Sequence, residues 1–205
     1  MDNFVDNRVK IAVILGSLRE ISYTQMALEV AMKGTKLYNN VEIEFIDLRK
    51  YDIPFCDDTE MCYEAPSVIK ISEILRSSHG VIIGSPEYHG SLSGVLKNLL
   101  DLLSSKDFKD KVVGLIGVAG GSVGASNTLR DMRMIIRHLH GWVVPNQVSI
   151  ARSRHSFDDT GQIIDPQLET RLIQLGQEVV KFAFLHHSPT ALQLFEDWNK
   201  LTIEK

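Results

Sequence analysis

Three short segments combine residue types that can do chemistry: Gly16-Ser17-Leu18-Arg19-Glu20-Ile21-Ser22-Tyr23-Thr24, Ser85-Pro86-Glu87-Tyr88-His89-Gly90-Ser91 and Ala119-Gly120-Gly121-Ser122-Val123-Gly124. The first offers the hydroxyls of Ser17, Ser22 and Thr24, the guanidinium of Arg19 and the free amides at the start of a following helix. These are donors suited to a phosphate, because a guanidinium pairs with two anionic oxygens and a helix N-terminus favours negative charge. A plainer reading has Ser22 capping the helix and Arg19 as a solvated arginine. The second segment joins a rigid proline, an aromatic, an imidazole and a glycine. Tyr88 supplies a flat surface and Gly90 lets backbone approach closely, which suits a planar ligand whose polar atoms bond to nearby amides. The same residues also fit an ordinary turn in which Pro86 fixes φ and Gly90 relieves strain. In the third segment, three glycines again allow backbone to approach a ligand.

That third segment matches two other patterns. Ala119-x-Gly121-x-x-Gly124 approximates the dinucleotide fingerprint, but the acidic residue expected about 20 positions later is missing from residues 143–148. Gly120-Gly121-Ser122-Val123-Gly124 fits G-x-S-x-G, the nucleophile elbow of serine hydrolases. Asp158 or Asp165, followed by His186 or His187, would keep the order Ser, Asp, His. Against it, the chain is short for that sheet, no H-G-G-G type loop precedes the serine, and the Arg19 loop is left without a role. No phosphate-binding G-x-x-x-x-G-K-[ST] occurs, and no histidine pair has metal-ligand spacing with a carboxylate, so no metal is expected. His138, His140, His186 and His187 read as surface or core histidines, and Cys56 and Cys62 as reduced loop thiols.

The elements that must position these loops follow from hydrophobic period. Continuous apolar runs at 9–15, 80–85 and 111–118 read as buried strands. Residues 41–48 alternate like an edge strand, and 142–150 carries Pro145, which also favours an edge. Helical period predicts helices over 23–34, 66–77, 92–104, 124–140 and 165–184, the first closed by Gly34. Residues 188–201 are expected to form one more amphipathic helix with Leu192, Phe195 and Leu201 on one side. The division expected is a domain over 1–184 and a tail over 185–205. Five β-α units in this order predict an α/β, flavodoxin-like doubly wound parallel sheet of strand order 2-1-3-4-5. Ligands of such a sheet sit beyond the carboxyl ends of the strands where the order reverses.

In the 92–104 segment, Leu92, Val95, Leu96, Leu99, Leu100, Leu102 and Leu103 span an arc of roughly 160° at about 100° per residue, wider than one core requires. The excess points to a partner, or to cover by the chain's own tail. At 205 residues, 44% hydrophobic and 23% charged, the chain fits one soluble domain. Its net charge of −4 and scattered cations offer no stripe for nucleic acid or an anionic membrane. With no cationic leader and no run of about 18 apolar residues, a cytoplasmic location is expected.

Taken together, Gly16-Ser17-Leu18-Arg19 with Ser22, and Ser85-Pro86-Glu87-Tyr88-His89-Gly90-Ser91 running into Gly94-Val95-Leu96-Lys97-Asn98, resemble the NAD(P)H-dependent FMN reductase family of flavin, quinone, azo-dye and chromate reductases. The resemblance spans roughly residues 9–184. It implies an FMN whose phosphate lies among Ser17, Arg19, Ser22, Tyr23 and Thr24. Its isoalloxazine would lie along Pro86, Glu87, Tyr88, His89 and Gly90, with Gly120, Gly121 and Ser122 at the other edge. The chain departs from the usual pattern at Thr24, where Asn is common, at Ile21, where a small residue is common, and at His89, where Asn is equally common. The resemblance further implies NADPH or NADH as hydride donor, a small-molecule acceptor such as free flavin, quinone or azo compound, and a homodimer or homotetramer. The flavin carries the redox chemistry, so no side chain is required as acid or base, although His89 is placed to polarise or protonate an acceptor. An FMN electron carrier without nicotinamide turnover, and the Ser122 hydrolase, are the competing readings.

Overall fold

The computed structural model describes residues 8–188, 190–194 and 196. Its sheet grows from β1 (Val9–Leu15), whose side chains are almost all buried on both faces, as a central parallel strand requires. β2 (Val41–Asp47) flanks it on one side; β3 (Gly80–Tyr88), β5 (Val112–Val118) and β6 (Trp142–Ile150) follow on the other, all parallel. The short β4 (Ser91–Leu92) folds back antiparallel on the end of β3. The path β2-β1-β3-β5-β6 is thus the order 2-1-3-4-5 of the five parallel strands, a flavodoxin-like arrangement.

Alternation along the strands feeds two cores. Ile11, Val13 and Leu15 face α1 (Tyr23–Thr35) and α8 (Pro166–His187), against Leu28, Leu172 and Leu175. Ala12, Ile14, Val81 and Ile83 face the other side. There they meet Ile71 and Leu75 of α3 (Pro66–Ser77), Leu96 and Leu99 of α4 (Gly94–Asp101), and Met132 and Ile136 of α6 (Ser126–His138). Short helices α2 (Glu60–Tyr63), α5 (Ser105–Phe108) and α7 (Ser153–Ser156) sit in the connections.

Several expectations need correction. Gly34 does not close α1, which runs to Thr35. It and Gly176 mark where α1 and α8 cross, for a Cβ on Gly34 would strike the Ile173 carbonyl oxygen and one on Gly176 that of Ala31. The helix expected over 92–104 is confined to α4, residues 94–101. Leu92 belongs to β4, Ser93 caps α4 by accepting from the Leu96 amide, and Ser104 opens α5 in a capping box with Asp107. Its leucine arc is covered by the chain itself: Leu96 and Leu99 pack with Ile71 and Phe108, and Leu102 packs on Cys62 and Val68. The width of that arc therefore gives no argument for a partner subunit. β3 extends beyond residue 85 to Tyr88 because it pairs with β4 as well as with β5.

Both sheet edges fall where alternation and Pro145 put them. Around Pro145 the β5–β6 register slips, with Val113 opposite Val143 but Leu115 opposite Gln147, so the ladder bulges where the amide is missing. α8 continues three residues past 184, to His187. Beyond it residues 190–194 are helical, while Phe195 and Leu201 of the expected amphipathic stripe lie outside the described residues. Among the described residues no helix is long and apolar enough to cross a membrane.

Candidate functional site

At the carboxyl ends of β1, β3, β5 and β6 lies a cavity of about 400 Å3. The loop after β1 contributes Ser17, Arg19, Ser22, Tyr23 and Thr24 to its lining; β3 contributes Pro86, Glu87 and Tyr88; β5 and its glycine loop contribute Val118 and Gly120. The sheet's reversal between β1 and β3 thus brings the expected phosphate loop and the expected ring loop to one place. A larger groove, about 630 Å3, lies at the opposite end beside Val9, Val41 and Phe184, with Lys181 its one charged lining residue. It lacks the convergent donors of the smaller cavity.

The donors of the first loop are held ready. Ser17, Ser22 and Thr24 are buried. Ser22 is the N-cap of α1, accepting from the Gln25 amide at 3.2 Å, which leaves its own proton to donate. The cap and ligand readings of Ser22 are therefore compatible. By helix geometry the amides of Tyr23 and Thr24 have no carbonyl partner within α1, and no acidic residue occupies its first turn. Arg19 sits over the Tyr88 ring, its guanidinium carbon 5.5 Å from the centroid, so a cation–π contact links the first two loops.

From behind, Arg49 braces this loop. Its Nη1 donates to the carbonyl oxygens of Arg19 at 3.0 Å and Glu20 at 3.2 Å, while Nε and Nη2 grip the two carboxylate oxygens of Asp47, each at 2.8 Å. That hydrogen-bonded fork holds the Asp47 carboxyl below the usual carboxylate range against the opposing effect of burial. Arg49 carries no local motif; its role arises from carbonyls far away in sequence.

The ring loop behaves differently from its expectation. Tyr88 pairs with Ser91 across a two-residue turn in which His89 has φ 52° and Gly90 φ 81°, the geometry of a type I′ hairpin. Both are exposed, and neither lines the cavity. Gly90 is thus explained by the turn. Glu87 lines the cavity, yet its Oε2 accepts from the Thr128 amide at 3.1 Å and so caps α6, whose N-cap residue Ala125 has no side-chain cap bond. Gly121 and Ser122 are exposed and also fall outside the cavity lining.

The hydrolase arrangement is not assembled. Ser122 follows the carboxyl end of β5, whereas His187 packs its ring at a tilt against His79, just before β3, and His186 lies edge-on to Trp142, the first residue of β6. Serine and histidines therefore occupy opposite ends of the sheet. Asp158 is engaged by Thr160 and Gln162 in a turn, and Asp165 caps α8. Among the described residues no group of His, Cys, Asp and Glu is arranged to hold a metal ion. Cys56 and Cys62 are free thiols.

Sequence patterns missed Val118, Ser153 and Arg154 in the lining. Val118 is simply the last residue of β5. The pair Ser153–Arg154 sits in a polar connection without a glycine signature, and only the sheet order, which puts β6 beside β5, could have directed attention there.

The sequence profile of the NADPH-dependent FMN reductase family matches residues 9–155, well over half of the chain. The chain is 38% identical over 176 residues to an FMN-dependent NADPH-azoreductase of Staphylococcus saprophyticus, covering 83% of this chain and 93% of that protein. It is 27% identical over 172 residues to an NAD(P)H-dependent FAD/FMN reductase of Geobacillus thermodenitrificans, covering 84% and 92%. Among solved structures it resembles the flavoenzyme NAD(P)H:(acceptor) oxidoreductase FerB from Paracoccus denitrificans, with TM-score 0.70 and 21% identity over 87% of this chain and 98% of that one, a likeness of fold alone. On the extent of the profile match and the identity to the staphylococcal protein, the chain belongs to the NADPH-dependent FMN reductase family.

Proposed function

We propose that the chain takes hydride from NADPH or NADH onto FMN bound in the cavity at the carboxyl ends of β1, β3, β5 and β6, and passes reducing equivalents to a small organic acceptor. The observation that carries this reading is the meeting, in one cavity, of an anion-binding loop and a flat aromatic surface. The donor set fits a phosphate: three buried hydroxyls, two helix-start amides and a guanidinium, with no carboxylate in the first turn of α1. The volume suits a ligand of cofactor size.

In this reading Ser17, Arg19, Ser22 and Thr24 bind the phosphate, with the amides of Tyr23 and Thr24. Pro86, Glu87 and Tyr88 flank the ring system, and Gly120 leaves its other edge open, since a Cβ there would meet nothing within 4 Å. When bound, FMN supplies the hydride and electron chemistry. Protein groups bind and orient it; Tyr88 is held in place by the Arg19 guanidinium and the β3–β4 hairpin. Azo compounds are favoured as acceptors by the staphylococcal relative at 38% identity, with quinones and free flavin as the other candidates.

The experiment is an absorbance titration of the purified protein with FMN, followed by NADPH or, in a parallel sample, NADH without oxygen and then by an azo dye, a quinone or free flavin. Bound flavin that bleaches with either nicotinamide and recolours with an acceptor supports the reading and ranks the acceptors. Flavin that binds but stays oxidised with both nicotinamides makes the protein an electron carrier, and absence of flavin binding overturns the site.

A further inference from the structure

The connection after β6, residues 151–157, is tied down at both ends although it looks like an ordinary polar loop. On one side the Arg152 amide donates to the Gly121 carbonyl at 2.9 Å and the Ser153 amide to that of Ala119 at 3.0 Å, locking it to the glycine loop after β5. On the other, buried Phe157 stacks on Tyr23, the first residue of α1, with centroids 5.4 Å apart. Arg152 is held at φ 45°, a left-handed conformation that a non-glycine residue keeps only when its surroundings over-determine it. Between these anchors Ser153 and Arg154 line the same cavity as Arg19.

Charge balance gives the position a purpose. Among the described residues no ion pair or hydrogen bond engages the Arg154 guanidinium. Glu87, the one carboxylate in the lining, already caps α6. A phosphate monoester carries about −1.5 to −2 charges near neutral pH, more than Arg19 alone balances. We infer that Arg154 is a second guanidinium ligand of the FMN phosphate, which makes residues 151–157 a fourth wall of the flavin site. The inference rests on the cavity being the FMN site.

Riboflavin, which lacks the phosphate, separates this role from a merely structural one. Flavin-depleted wild type, Arg19→Ala and Arg154→Ala are titrated with FMN and with riboflavin by fluorescence quenching. Loss of a charge-assisted hydrogen bond predicts an FMN Kd raised about 10- to 100-fold in Arg154→Ala, with riboflavin Kd nearly unchanged. An unchanged FMN Kd, or equal weakening of both flavins, overturns the inference. If Arg19→Ala weakens FMN selectively while Arg154→Ala does not, only the role of Arg154 falls; if wild type binds no FMN, or neither variant shifts it, the site itself falls. Should Arg154→Ala fail to fold, Arg154→Lys keeps the stem and charge but not the fork, and is expected to lower the preference for FMN over riboflavin by a smaller factor; no change in that preference overturns the inference.

Discussion

Ser93 Oγ donates to the Gly16 carbonyl oxygen at 2.6 Å, joining the start of α4 to the start of the loop after β1. Ser93 Oγ itself accepts from the Leu96 amide, and the Ser93 amide donates to buried Ser85 Oγ at 3.0 Å. One side chain therefore caps a helix and sets the spacing of the loops after β1 and β3. Ser93→Ala removes the cap and strands a buried carbonyl, a loss of about 2–3 kcal/mol. Urea denaturation is expected to show that fall in unfolding free energy, with weaker flavin binding in the surviving fold. An unfolding free energy within about 0.5 kcal/mol of wild type, the range of ordinary surface substitutions, would remove Ser93 from this role.

Two carboxylates make the fold acid-sensitive. Burial pushes the Asp107 carboxyl up, but hydrogen bonds from Ser72, the Ser104 amide and Arg76 outweigh it and hold the pKa below the usual value. The Arg49 fork does the same for Asp47. A carboxylate whose folded pKa is depressed below its unfolded value, about 3.9, contributes stability that is fully present above that value. This contribution is lost as pH falls through the folded pKa. Stability should therefore drop steeply below about pH 4, and the drop should be shallower in Asp107→Asn, although that variant is less stable at pH 7. Equal slopes for wild type and variant between about pH 4 and pH 2, the span below the unfolded carboxylate value, would show that Asp107 does not drive the transition.

Parallel strands buried on both faces are continuous apolar runs, so β1, β5 and the body of β3 were legible from hydrophobic patterning, and the alternation of strands with helices gave the strand order and the place of the cavity. The first loop stood out because Ser17, Arg19, Ser22 and Thr24 carry donors of a kind suited to an anion, and all four line the cavity. What escaped was non-local. Arg49 acts on carbonyls 29 and 30 residues away, and Arg154 joins the cavity only because β6 lies beside β5. The early end of the helix expected over 92–104 had a local signal, the Ser104-x-x-Asp107 capping box, which a reading of leucine period alone passes over. At His89 and Gly90 two readings competed for the same residues, and the hairpin geometry favours the turn.

The turn reading makes its own prediction. His89 occupies a left-handed position at φ 52°, where Asn is well tolerated and a β-branched residue is not. His89→Asn is expected to leave the melting temperature unchanged or slightly higher, whereas His89→Val should cost about 1–2 kcal/mol. Flavin affinity should be the same in His89→Asn as in wild type, because residue 89 does not line the cavity. A flavin Kd that moves with this substitution would return the imidazole to the site.

Glu87 lines the cavity but acts through α6, since its carboxylate caps the Thr128 amide at 3.1 Å. That helix follows the glycine loop, and the Ala125 amide at its start is fixed separately by Ser149 Oγ at 2.8 Å. Removing the carboxylate in Glu87→Ala should cost about 1 kcal/mol of cap energy and loosen the loop that carries Gly120. Glu87→Gln retains an acceptor oxygen and should recover most of that stability. Because this effect reaches the flavin through loop position rather than through the phosphate, FMN and riboflavin should weaken together, unlike the selective loss expected for Arg19→Ala. Paired titrations of the three variants with both flavins check this. A loss confined to FMN in Glu87→Ala would mean that the carboxylate instead orders the phosphate donors, and the assignment of Glu87 to α6 would fail.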